Sequence, residues 1–180
     1  MIKTNPLSVS DISNIANSIR EQYGIAKDAA FPILEVLEKL FINNYLSIQL
    51  LEDDNQYLGK DTPAVYNAFD NFIYLKESVI QEVENGNYRS NFTLAHEFFH
   101  YLQHQVLGFT FEEVEERKTY EDPECQANTF AGLLLLPDEY IDNDDVYLAE
   151  HFQVSIECVL TRKVKQKKRE LKEKGVIKYD

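Results

Sequence analysis

Cysteine is nearly absent. Cys125 and Cys158 are the only two in 180 residues, too few for a disulfide framework, which points to a reducing cytosol and away from a stapled secreted scaffold. Long apolar runs are missing too. No stretch approaches the roughly 20 uninterrupted apolar residues of a bilayer span, and the opening MIKTNPLSVSDISN lacks the apolar run of a signal peptide. The expectation is a cytoplasmic protein with no membrane partner. Internal repeats and low-complexity linkers are also lacking. Positive charge is scarce: 18 Lys and Arg stand against 31 Asp and Glu, a formal net charge of −13. That argues against a nucleic acid as the main partner, because phosphates reward a basic face. Residues 161–180 hold nine of the basic residues and three acids, so the preceding 160 carry nine basic against 28 acidic, or −19. So acidic a body attracts basic partners, although a soluble acidic protein with no such partner has the same composition.

What is present is enough for a core. With 44 % apolar residues, the chain suits one domain with a small appendage: a core over 1–143 and a helical extension over 144–180 packed on it. Ser8 and Asp11 read as a capping box, and Ile12, Ile15, Ala16, Ile19 and Tyr23 repeat at helical spacing up to Gly24. Ile33, Val36, Leu37, Leu40 and Phe41 form a second stripe after Pro32. Both stripes read as core. Residues 45–51 are β-prone, and 64–69 with 72–76 flank Asp70-Asn71 as a hairpin, so a small antiparallel sheet is expected. Residues 78–84 fit either state. A helix capped by Ser90 or Asn91 follows, then a charged stretch over 111–120, a buried helix over 124–136, and a last pair over 144–152 and 155–171.

The stretch TLAHEFFHYLQHQ carries the chemistry. It contains His96-Glu97-Phe98-Phe99-His100, and three of the four histidines fall within nine residues. At about 3.6 residues per turn, positions four apart project from one helix face. Two imidazoles so placed can each give a nitrogen to one zinc ion. Glu97 lies about 100° round the helix, beside the metal position, where a carboxylate can take a proton from a water held there and pass it to a leaving group. The plain alternative is a surface helix whose histidines happen to fall four apart.

A catalytic zinc takes three protein ligands and keeps one place open. His104 is eight residues from His96, about 12 Å along a straight helix, too far to join both histidines on one ion. It is expected on the substrate side, in a supporting role, or as a polar residue at the helix end. Carboxylates from the following segment compete: Glu112, Glu113, Glu115, Glu116, Glu121 and Glu124. Glu124 is favoured, because Asn128, Ala131 and Leu135 share its line along the helix and place it on an inward-packing face, where a carboxylate needs a partner. An acid in a first helical turn can also be simply dipole-stabilising. Cys125 points elsewhere and reads as packing.

These residues carry a resemblance. Arg89-Ser90-Asn91-Phe92-Thr93-Leu94-Ala95-His96-Glu97, then Glu124-Cys125-Gln126-Ala127-Asn128-Thr129-Phe130-Ala131 with Leu134-Leu135-Leu136-Pro137, resemble the two signatures of the ImmA/IrrE family of zinc metallopeptidases. Residues 148–155 and Arg162 are similar to the family's C-terminal helical portion. Phe98-Phe99 stands where a leucine-glycine pair is common, and Asn91 where arginine is frequent. The resemblance implies an α+β, zincin-like domain, mostly helical, with a small three-stranded sheet before the motif helix and a C-terminal helical pair. It implies zinc held by His96, His100 and Glu124, with Glu97 as catalytic base. His104, Tyr101 and Arg89 are candidates for stabilising the oxyanion. By the same resemblance the substrate is a helix-turn-helix repressor encoded nearby, often in mobile elements or stress-response circuits, and cleaving it relieves repression. Two other readings use the same residues. One is a regulator that binds a repressor without cutting it, around a structural metal. The other binds DNA through the last two helices and Lys163, Lys165, Lys167, Lys168 and Arg169.

Overall fold

A computed structural model describes residues 1–176; the end of the 144–180 segment lies outside the described residues. The elements in order are β1 (Ile2–Thr4), α1 (Val9–Gln22), α2 (Ile33–Ile42), β2 (Ser47–Leu51), β3 (Ala64–Asn67), β4 (Phe72–Lys76), α3 (Glu77–Glu84), α4 (Arg89–Tyr101), β5 (Phe111–Glu113), α5 (Pro123–Leu135), α6 (Asp145–Phe152) and α7 (Ile156–Glu173). This is a mixed α+β fold.

Helix α5 is the centre of the core. Asp122 caps it by accepting from the Glu124 amide, and Pro123 occupies the first turn, where a missing N–H costs nothing. Apolar side chains on most positions have no wet face to choose, so Ala127, Phe130, Ala131, Leu134 and Leu135 are fully buried. Helix α4 runs antiparallel along it, with Phe99 stacked on Phe130 at a ring separation of 4.4 Å. Helix α1 covers another side through Ile12, Ala16 and Ile19, and its capping box joins Ser8 and Asp11 as the sequence predicts.

The three-stranded sheet has the order β2-β4-β3. The hairpin through Asp70-Asn71 forms, with Tyr66 opposite Ile73 and Asn71 in the left-handed conformation at φ 60°. The expectation of a wholly antiparallel sheet fails, because β2 pairs parallel with β4. The physical reason is burial. β4 carries the fully buried Ile73 and Leu75 and takes the centre, so β2 and β3 are left with the two edges and opposite directions. The sequence reading also omits a second sheet, in which β1 pairs antiparallel with β5 at Lys3 opposite Glu112, and the ambiguous residues 78–84 belong to α3.

Two local expectations around α4 are corrected. Neither Ser90 nor Asn91 caps it: the helix starts at Arg89, the Ser90 hydroxyl donates to Glu82, and the Asn91 amide donates to Gln153 O at 2.9 Å. Beyond Tyr101 the helix continues as a π-helical turn over Leu102–Val106, which changes the direction of His104.

Candidate metal centre

The motif helix and α5 bring three side chains to one point. His96 Nε2 lies 3.1 Å from His100 Nε2, Glu124 Oε2 lies 3.2 Å from His96 Nε2, and Glu124 Oε1 lies 3.3 Å from His100 Nε2. A tetrahedral zinc with bonds of about 2.0–2.1 Å holds its ligand atoms about 3.3–3.4 Å apart. The three donors stand close to that spacing, with no fourth His, Cys, Asp or Glu in the group among the described residues.

The protons make the same case. His96 Nδ1 faces Asn128 Oδ1 at 3.2 Å, and His100 Nδ1 faces Gln103 Oε1 at 3.1 Å. An amide oxygen accepts, so each Nδ1 carries a hydrogen and each Nε2 of a neutral ring keeps its lone pair. Two lone pairs and a carboxylate then converge with no donor between them, an arrangement that asks for a cation. Without one, the carboxylate favours a proton on His96. Burial works against charge on His96, but hydrogen bonding and proximity to Glu124, together with Glu97 and Asn128, outweigh it and raise its pKa. The same pairing, His100 first and His96 second, holds Glu124 far below the usual carboxylate range.

Glu97 sits beside the triad and is 7 % exposed. Its Oε2 accepts from the Tyr66 amide of β3 at 2.7 Å, which ties the motif helix to the sheet edge and leaves Oε1 uncommitted. Burial pushes its pKa up, against the pull of His100, His96 and the Tyr66 amide.

The remaining candidates separate. His104 is not in the metal group; its ring lies flat on Phe111 at 3.9 Å and 8°. Tyr101 is buried, stacked with Phe98, and lines a groove beside α1 and α2, away from the histidine face. Arg89 lies on the histidine side of α4 but two turns from His96, in a cleft it shares with Asn128. Glu124 does not pack inward as its helix face predicts: its side chain is 61 % exposed. Its line of α5 faces an open groove at Glu124 and Asn128 and meets the core only from Ala131 onward. The periodicity identified the right face, but what that face meets is a groove.

Sequence reasoning missed two supporting residues. Asn128 and Gln103 orient the two rings, and Gln103, fully buried, passes the contact on to Gln126 at 2.8 Å, which in turn donates to Asn5 O and Tyr120 O. The signal was available: Gln103 is three residues after His100 and Asn128 four after Glu124, spacings that share a helix face.

Two comparisons with known proteins extend this geometry. The model of the peptidase family Peptidase_M78, described as the IrrE N-terminal-like domain, matches residues 58–163, from before β3 into α7. A solved structure of a Mycobacterium tuberculosis transcriptional regulator superposes with a TM-score of 0.55 at 17 % identity, over 84 % of this chain and 46 % of that one. The present chain therefore spans less than half of that regulator. No similar protein was found among curated proteins.

Proposed function

Since the chain belongs to the IrrE N-terminal-like domain family of peptidases, we propose that it is a zinc-dependent endopeptidase that cleaves a helix-turn-helix repressor and so relieves repression. The observation that carries this is the convergence of His96 Nε2, His100 Nε2 and the Glu124 carboxylate, one oxygen facing each imidazole, at zinc-ligand spacing, with a buried carboxylate one residue from the first histidine. Zinc held by these three residues supplies a Lewis acid. Gln103 and Asn128 fix the rings that hold it. Glu97 is the general base: Oε2 is anchored on the Tyr66 amide, and Oε1 takes the proton of the attacking water and delivers it to the leaving amine. Strand β3 is an edge of its sheet and borders this site at Tyr66, whose amide is spent on Glu97, so an extended substrate segment can be laid beside the strand only through its other main-chain groups.

Repressor cleavage is supported by the resemblance of both signatures to their family and by a fold shared with a protein named as a transcriptional regulator. That name also favours a second reading, a non-proteolytic regulator that binds a repressor around the same metal. Incubating the protein with the helix-turn-helix repressors encoded beside it distinguishes the two. Fragments of a repressor that fail to form with Glu97→Gln, a drop of roughly 10²–10⁴-fold, support cleavage. A stable complex with no fragments selects the second reading.

A further inference from the structure

The groove between α4 and α5 continues past the triad. Arg89 precedes His96 by seven residues, close to two helical turns, and so lies on the same side of α4. Asn128 and Gly132 follow Glu124 along α5 in steps of four. Helix α7 and its cap Ser155 add a third wall as far as Lys165, around a cleft of about 280 Å³. Asn128 belongs both to this cleft and to the triad, through its contact with His96.

The cleft's charge is opposite to that of the molecule. Arg89 and Lys165 both line it, both are exposed, and neither makes a salt bridge among the described residues. Arg162 lines it too but is committed to Leu136 O and Asp138. Glu157, in the first turn of α7, is the one acid. A chain with net charge −13 thus places two unspent cations along one recess that opens towards its metal ligands.

We infer that this cleft selects the substrate by holding an aspartate or glutamate side chain of the polypeptide being cut, about three residues from the scissile bond. The inference rests on the peptidase reading above. The spacing follows from Arg89, about 10 Å along α4 from His96, a distance that an extended chain covers in about three residues. The planar guanidinium of Arg89 suits a carboxylate in two-point contact, and Lys165 adds an ammonium. Phe92 and Gly132 give the side-chain methylenes an apolar surface. The carboxylate of Glu157 disfavours a dianion such as phosphate.

The test uses the full chain, zinc-loaded and carrying Glu97→Gln, presented with a library of short randomised peptides; retained peptides are identified by mass spectrometry. Asp and Glu should be enriched roughly tenfold at one position, about what one charge-assisted hydrogen bond supplies. Adding Lys165→Glu or, separately, Arg89→Glu should abolish or reverse the enrichment. Absence of acidic enrichment, or enrichment that survives both reversals, overturns the inference. Digestion of the same library by the unsubstituted chain tells the two readings apart. Cutting without acidic preference overturns the cleft assignment and leaves the peptidase. Acid-selective retention without any cutting supports the cleft and overturns the peptidase.

Discussion

The two ends of the α4–α5 groove carry opposite deficits. At one end His96, His100 and Glu124 bring three electron-pair donors together with no hydrogen between them; at the other, Arg89 and Lys165 bring positive charge with no salt-bridge partner among the described residues. Arg162 is the instructive contrast. Also cationic and lining the same cleft, it donates to Leu136 O and pairs with Asp138, so its charge is used in holding α7 to the end of α5. Buried polar groups in a folded chain are normally satisfied from within. Where groups are instead left without a partner beside a groove, a partner from outside the chain can complete them, and on the proposed reading that is a cation at one end and an anion at the other.

The largest effect should come from breaking the donor end. Glu124→Ala removes one of three ligands, and metal analysis should show near-stoichiometric zinc in the parent protein and much less in the variant. Equal zinc in both would mean that the three side chains meet for some other reason. The next effect should come from Gln103→Leu. It removes the acceptor that holds His100 Nδ1 and leaves Gln126 without its donor, in a place closed to bulk water, since Gln103 is wholly buried. Loss of such an orienting contact weakens zinc by about 10–100-fold, which competition with a chromophoric chelator measures.

Only the donor end of the groove was legible in the sequence, and that in part. His96, Glu97 and His100 could be placed because one helix fixes their relation, and helical spacing is local. Glu124 could be chosen for its face, but not for its exposure, since what a face meets depends on elements elsewhere in the chain. The cleft was out of reach for the same reason: Arg89, Asn128 and Lys165 are far apart in sequence and meet only where α7 crosses α5. The sheet repeats the lesson. The β3–β4 hairpin was read from Asp70-Asn71, whereas the parallel pairing of β2 with β4 depends on which strand wins the centre. The π-helical turn at Leu102–Val106, which carries the His104 stacked on Phe111, has no residue signal in the sequence.

The paired cation, Arg162, can be disturbed through Gly132, which lines the cleft beside it. A Cβ on Gly132 would lie 2.7 Å from Arg162 Cδ, closer than carbon atoms tolerate. Arg162 is pinned at its far end by Leu136 O and Asp138, so it cannot simply swing aside. Gly132→Ala should therefore lower stability by about 1–3 kcal/mol, the usual range for overpacking, read by urea denaturation, with zinc stoichiometry retained. An unchanged midpoint would show that Arg162 moves freely and that its pairing does not anchor α7.

The smallest effect tests burial itself. Asn128 does for His96 what Gln103 does for His100, accepting from Nδ1 at almost the same distance, 3.2 Å against 3.1 Å. The difference is that Asn128 is exposed. When its amide is removed, water can take over the hydrogen bond from Nδ1 and keep the ring in the same tautomer, at little enthalpic loss. Asn128→Ala should then weaken zinc by at most about tenfold, clearly less than Gln103→Leu in the same chelator assay. If the two variants lose equally, the supporting amides act through ring packing and not through solvent exclusion. The donor end would then owe its cation affinity to shape more than to unsatisfied lone pairs.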